Sequence, residues 1–261
     1  MAAGEFTDKV VFVTGATSGI GRAVALAFAR EGAKVVGAGR NEQAGRETER
    51  LAETTSGKPG NFLFVKMDLV EETEIIGALT DVVNTHGRLD NAVNCAAVDI
   101  AADLLGYTAT DFDRIFNANV RGLFLCLREE INAMKLNGGG SIVNVGSAAG
   151  QRAFPGNALY NASKAAAKML GQTAAVECGK LGIRVNELAP GPVFTRMLEG
   201  YFELSKKTDS PATIESVAAA VPLGRILMPG DIANAVLFLS SAQAANITGA
   251  SLAVDGGFVL G

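Results

Sequence analysis

A chain of 261 residues with 48% hydrophobic and 19% charged residues has ample apolar material for a core and is not composed like a disordered chain. Its formal charge of -4 and its lack of any Lys/Arg block exclude a phosphate-neutralising nucleic-acid surface and point to a small partner. Cys95, Cys126 and Cys178, three cysteines at wide spacings, make neither a disulfide framework nor a zinc pattern and suit a reducing compartment.

The opening residues, Met1 to Lys9, have neither the basic start nor the apolar core of a signal peptide. The apolar stretch from Ile232 to Val254 is interrupted by Asn, Ser and Gln before it reaches the roughly 20 residues of a membrane span. A cytoplasmic protein is expected.

The first apolar run, Val10 to Gly15, enters TGATSGIGRA, where Gly15, Gly19 and Gly21 have G-x-x-x-G-x-G spacing. Glycines at a strand-to-helix turn let the backbone approach a pyrophosphate and aim free helix N–H groups at it. The helix that follows is expected to stop at Gly32. The second run, Ala33 to Gly39, ends beside Arg40, where an Asp or Glu would hold the adenosine ribose of NAD. With no carboxylate there to repel a phosphate and a guanidinium able to clasp one, NADP(H) is expected over NAD(H), although Glu42 is close enough to blunt the preference. The third run, Asn61 to Asp68, closes on Asp68, which either accepts a hydrogen bond from the adenine amino group or caps the helix of the acidic stretch Val70 to Glu74.

His86, the single histidine, is expected at a helix end before the fourth run, Leu89 to Ala96. One histidine cannot make a histidine metal cluster, so no metal is expected and proton chemistry must fall elsewhere. The fifth run, Gly140 to Ser147, ends on Ser147. Next comes YNASKAAAKML, in which Tyr160 and Lys164 stand four apart, on one face of a helix. A phenol with a pKa of about 10 is a poor acid or base at neutral pH, but a neighbouring ammonium and a positively charged nicotinamide both favour its phenolate. Tyr160 would then exchange a proton with a substrate oxygen held by Ser147 while the nicotinamide exchanges a hydride with carbon. On the Tyr-x-x-x-Lys spacing alone, a helix-capping tyrosine and a snorkelling lysine remain an equal alternative.

The sixth and seventh runs are Ile183 to Pro190 and Ser251 to Gly257. Apolar strands alternating with helical patterns predict an α/β chain, a single-domain Rossmann-type doubly wound parallel sheet of about seven strands with helices on both faces, over residues 1–261. Residues 191–224 break the rhythm and are a candidate substrate lid. Phe154, Val193, Phe194, Met197, Leu198, Tyr201 and Phe202 would wall a pocket for an apolar ketone or secondary alcohol, with Phe154 and Met197 named beside Ser147 and Tyr160 as substrate contacts. Arg152 offers a weak hint of an acidic substrate, and Ser-Lys-Lys at 205–207 of an acyl-carrier partner.

TGATSGIG (14–21), NCAA (94–97), NANV (117–120), Gly146 with Ser147, YNASK (160–164) and PGPVFT (190–195) together resemble the motif series of the classical short-chain dehydrogenase/reductase family, over nearly the whole chain. The resemblance implies a catalytic set of Asn119, Ser147, Tyr160 and Lys164. In that pattern the serine orients the carbonyl or hydroxyl and the tyrosine is acid or base. The lysine binds the nicotinamide ribose, and the asparagine anchors a water that links the lysine to solvent. It further implies cofactor contacts from Asn94 on the adenosine side and from Val193 and Thr195 at the nicotinamide, which join Gly15, Thr17, Ser18, Gly19, Ile20, Gly21, Arg40, Asp68, Tyr160, Lys164 and Pro190 in the expected cofactor site. Family members commonly form tetramers, and the apolar ending LAVDGGFVLG agrees with a homotetramer.

Two departures stand out. The family's Asn-Asn-Ala-Gly is Asn94-Cys95-Ala96-Ala97, and Ser18 replaces the basic residue that many NADP-preferring members carry, leaving Arg40 to supply that preference. The expected activity is an NADP(H)-dependent interconversion of ketone and secondary alcohol. The alternatives are an NAD(H)-preferring alcohol dehydrogenase, a 3-ketoacyl reductase, a non-catalytic dinucleotide-binding regulator, or an epimerase or dehydratase, the last normally needing a larger substrate domain.

Overall fold

The computed structural model describes residues 4–57, 60–206 and 211–261, and its seven strands lie in one parallel sheet. They are β1 (Val10–Thr14), β2 (Lys34–Gly39), β3 (Phe62–Lys66), β4 (Asn91–Asn94), β5 (Gly140–Val145), β6 (Ile183–Pro190) and β7 (Ser251–Val254), in the order β3-β2-β1-β4-β5-β6-β7. β1 is buried at every residue, as a strand covered on both faces must be. Val13 pairs with Gly37 on one side and Val93 on the other, so the chain reverses direction across the sheet at β1. That reversal opens a crevice at the carboxyl ends of β1 and β4.

The helices are α1 (Gly19–Arg30), α2 (Glu42–Ser56), α3 (Glu72–His86), α4 (Ala109–Phe116), α5 (Leu123–Lys135), α6 (Ala158–Cys178), α7 (Arg196–Ser205), α8 (Ile214–Ala219) and α9 (Pro229–Ser240). One apolar layer joins Val24 and Phe28 of α1 to Ile232 and Val236 of α9. The other joins Ile75 and Leu79 of α3 to Cys126 and Met134 of α5 and Ala167 of α6. Phe28 is fully buried, a gain of about 1.5–3 kcal/mol for such a side chain.

Gly32 ends α1 as its position suggested. Its φ of +87° lets Ala33 N–H reach Phe28 O at 3.1 Å while its own N–H reaches Ala29 O, which satisfies two terminal carbonyls. His86 is the last residue of α3. Between α4 and α5 the helix widens into a π-turn, Asn117–Gly122, which carries Asn119.

The fourth apolar run yields only the four residues of β4, because the chain from Cys95 turns out of the sheet across the crevice, pinned by Ala96 N–H donating to Thr14 Oγ1 at 3.2 Å. Ala97, where a glycine was expected, needs no left-handed conformation: Asp8 is the one non-glycine with positive φ among the described residues. Within 191–224 the chain forms α7 and α8. Residues 207–210, including Lys207 of the Ser-Lys-Lys run, lie outside the described residues.

Candidate active site

The loop between β1 and α1 forms one end of a groove of about 400 Å³. Thr17, Ser18, Gly19 and Ile20 line it together with Gly15 and Gly21. Gly15 has a φ of +71°, and a Cβ on it would come within 2.9 Å of Ala96 N, so only glycine fits where the two crevice walls meet. A Cβ on Gly21 would strike the Gly15 carbonyl. Arg22, which the sequence reading passed over, fixes this loop: its guanidinium donates to Thr17 O at 2.7 Å, to Thr48 Oγ1 at 2.9 Å and to Ala44 O at 3.2 Å. The result is an open glycine cradle at a helix N-terminus, the shape that a dinucleotide pyrophosphate requires.

Arg40 and Asp68 both line the groove, 3.8 Å apart as an ion pair. Asp68 is not the helix cap. Glu71 holds that position, while Asp68 Oδ1 accepts from Val70 N–H at 3.3 Å. Glu42 pairs with Arg46, leaving Arg40 to Asp68. Arg114 and Arg196 also reach the groove, and no motif or spacing had marked either of them.

At the other end, α6 presents Tyr160 and Lys164 to the groove wall. Lys164 is buried, with Nζ donating to Val145 O at the end of β5 at 3.0 Å and lying 5.6 Å from the Tyr160 ring centroid. Ser147 follows β5, and its Oγ accepts from Ala149 N–H at 3.1 Å. Asn119 is bound on both sides of its amide: Oδ1 accepts from Val98 N–H, and Nδ2 donates to Val98 O and to Ser163 Oγ. Ser163 in turn donates to Tyr160 O at 2.8 Å, tying the π-turn to α6.

Beneath Lys164 is a small cavity of about 20 Å³, room for one water, lined by Asn94, Asn119, Asn144 and Glu187 among others. Asn94 therefore lies below the groove instead of in its wall. Its Nδ2 donates to Glu130 Oε2 at 3.0 Å and to Asn144 Oδ1 at 3.1 Å. Glu130 is fully buried, and burial pushes its carboxyl up to about 7 despite the Asn94 hydrogen bond.

The electrostatics differ from the sequence expectation in one respect. Burial drives the Tyr160 phenol well above its ordinary value, the Asp99 carboxylate adds to that, and a hydrogen bond with Ser147 opposes both. In the protein alone, then, burial leaves the phenol raised where a lowered value was expected beside an ammonium. Burial also lowers the Lys164 ammonium to about 8, with Glu187, Cys95 and Asp99 pulling it back up. Desolvation pushes the half-buried Cys95 thiol up to about 12, so it is inert as a thiolate at neutral pH.

A second pocket of about 530 Å³ adjoins the groove and includes Ser147, Phe154, Tyr160, Pro190, Val193 and Met197. Thr195 lines both, as do Ile20 and Tyr160. α7 contributes Leu198 and Tyr201, and α8 contributes Val217. Phe194 and Phe202 do not line it; Phe202 packs on Tyr201 instead, with ring centroids 6.1 Å apart. Arg152 is engaged elsewhere: its guanidinium donates to the Phe258 and Gly261 carbonyls. Phe258 stacks on Phe154 at 5.3 Å and so joins the pocket wall, a long-range contact that no local pattern signals.

Among the described residues no helix is long and apolar enough to cross a membrane. The family model described as enoyl-(acyl carrier protein) reductase matches residues 15–259. A short-chain dehydrogenase/reductase of Armillaria gallica is 38% identical over 96% of this chain and 96% of that protein. A cyclopentanol dehydrogenase of Comamonas testosteroni is 34% identical over 98% of each chain. The solved structure of a short-chain type dehydrogenase/reductase from Mycobacterium ulcerans superposes with a TM-score of 0.91 at 30% identity, covering 98% of this chain and 91% of that one.

Proposed function

Since the chain belongs to the short-chain dehydrogenase/reductase family and is thus an NAD(P)-dependent oxidoreductase acting on alcohol- or ketone-type substrates, we propose that it prefers NADP(H) and interconverts an apolar ketone and its secondary alcohol. The observation that carries this reading is that Tyr160 lines both the glycine-ended groove and the largely apolar pocket. A proton donor at the junction is where a coenzyme and a substrate carbon would meet.

The glycine loop holds the pyrophosphate on helix N–H groups, and Arg40 holds the 2′-phosphate of the adenosine end. Pro190, Val193 and Thr195, which line the adjoining pocket, would flank the nicotinamide. When bound, the coenzyme supplies or accepts the hydride. Ser147 orients the substrate oxygen, and Tyr160 gives the proton to it or takes the proton from it. Lys164 holds the ribose and, as the nearest cation, favours the phenolate, while Asn119 fixes the cavity from which the lysine is reprotonated. The phenol is raised in the protein alone, and the positive charge of an oxidised nicotinamide, when bound, would favour its ionisation.

α7 and α8 act as the lid over the pocket. Exposed Met169, Val176 and Leu252 support a homotetramer, and we assign the protein to the cytoplasm. The cyclic alcohol named for the Comamonas relative makes five- and six-membered ring ketones the first candidates. The test is coenzyme oxidation with NADPH and NADH in parallel across aliphatic, aromatic and cyclic ketones, with Tyr160→Phe as control. Tyrosine-dependent turnover of NADPH is expected; coenzyme binding with no turnover across the panel would remove the catalytic reading.

A further inference from the structure

The substrate pocket is apolar over most of its wall, but on one side two loops meet, each of which carries a buried side-chain oxygen without a hydrogen-bond partner. Ala102 N–H donates to Gly156 O at 2.9 Å, and Ala102 faces Asn157 in a parallel bridge. The Tyr107 hydroxyl lies 2.7 Å from Ile100 O and 3.2 Å from Gly156 O, so it stitches the same two loops together. Asp99 stands on the first loop and Asn157 on the second, and both line the pocket.

Asp99 Oδ1 and Asn157 Oδ1 are buried and have no hydrogen-bond partner. Asn157 precedes α6, yet its side chain caps no backbone N–H there. Asp99 is the one charged side chain among the described residues lining this pocket. A buried acceptor without a donor is destabilising unless a ligand supplies the donor. Asn157 also lies three residues before Tyr160, on the same face of the helix start, so both acceptors lie beside the reacting groups.

We propose that Asp99 and Asn157 form a hydroxyl-reading subsite, and that the substrate is a secondary alcohol or ketone bearing a second hydroxyl beside the reacting carbon. The inference rests on the oxidoreductase reading above and narrows its substrate class. The apolar remainder of such a molecule lies against Phe154, Met197 and Tyr201. A hydroxyl donates its one O–H to Asp99 and accepts from the Asn157 amide, whose oxygen and nitrogen exchange places by a flip of the side chain, while the Lys164 charge that Asp99 already feels disfavours an ammonium there.

The test compares cyclopentanol, trans-1,2-cyclopentanediol and trans-2-aminocyclopentanol as substrates of the wild type, Asp99→Ala, Asp99→Asn and Asn157→Ala, with NADP+ and NAD+. A hydrogen bond to a charged group predicts a wild-type preference for the diol over cyclopentanol of about tenfold or more in kcat/KM, carried by KM. In Asp99→Ala that ratio should fall towards unity, and the nearly isosteric Asp99→Asn serves if the alanine variant does not fold. No diol preference in the wild type, an undiminished preference in both Asp99 variants, or a preference for the amino alcohol overturns the proposal. Calorimetric titration of the same compounds into the enzyme–coenzyme complex reads the subsite without turnover. Diol binding that needs Asp99 but leads to no oxidation supports the subsite and refutes the redox reading; equal or absent binding of diol and cyclopentanol refutes the subsite.

Discussion

The Arg40 guanidinium stands 3.8 Å from the Asp68 carboxylate in the wall of the glycine-ended groove, with the arginine side chain 63% exposed. An ion pair so open to water contributes little, about 0–1 kcal/mol, and is readily exchanged for a phosphate that takes two guanidinium N–H groups at once. Arg40→Asp should therefore reverse the coenzyme preference: the ratio of kcat/KM for NADPH over NADH should drop about tenfold or more. An unchanged ratio would shift phosphate recognition to Arg114 or Arg196, the other arginines of the groove.

Tyr160→Phe removes the hydroxyl while keeping the ring that lines both cavities. Turnover should fall by roughly 10²–10⁴, the usual worth of a positioned proton donor. Coenzyme affinity, followed by NADPH fluorescence, should stay near the wild-type value. A variant that keeps its rate would mean that the proton comes from elsewhere.

Lys164→Met should separate stability from activity. The lysine releases its proton at about 8 in the folded protein, against about 10.4 in an unfolded chain, so the unfolded state binds more protons between those values. The burial penalty is complete below pH 8 and fades as pH rises towards the unfolded value. At pH 7 the methionine variant should be inactive yet more stable than the wild type, by on the order of 2–3 kcal/mol, with the gap closing by pH 10. Denaturant midpoints of the two proteins across that range measure it.

Glu130 titrates with the opposite sign. Its folded value is raised to about 7 from an unfolded value of about 4.3, so its favourable contribution is whole below the unfolded value and is lost as pH rises through 7. Glu130→Gln keeps an acceptor for Asn94 Nδ2 without the charge. It should melt higher than the wild type at pH 8 and show little advantage near pH 4. A variant destabilised equally at both values would mark the carboxylate as a structural need in its charged form.

The parts of the site that sit at strand ends were legible because a parallel sheet carries its ligands there. Gly15, Gly21, Arg40 and Ser147 each close or follow an apolar run, and Tyr160 and Lys164 share a face by helical period. Asn119 had no such signature; its position on a π-turn depends on a departure from the α-helical period that hydrophobic pattern does not register. Asp99, Asn157 and Phe258 were silent for a different reason. Each reaches the pocket through pairing or stacking with a segment far away in the chain, as Phe258 does with Phe154. Arg152 was misread for the same cause, since its partners lie more than a hundred residues on.

The π-turn at Asn117–Gly122 can also be viewed as a helix that has absorbed one residue beyond what its pitch allows. Because the widened turn absorbs the extra residue locally, deleting one there would restore an unbroken α-helix from Ala109 to Lys135 and leave the residues beyond it facing as they do now. Met134 and Cys126 would stay in the core, but the widened turn that sets Asn119 against Val98 and Ser163 would be gone. The six residues are thus a local device for placing one side chain: a variant lacking one of them should keep its fold and lose its activity.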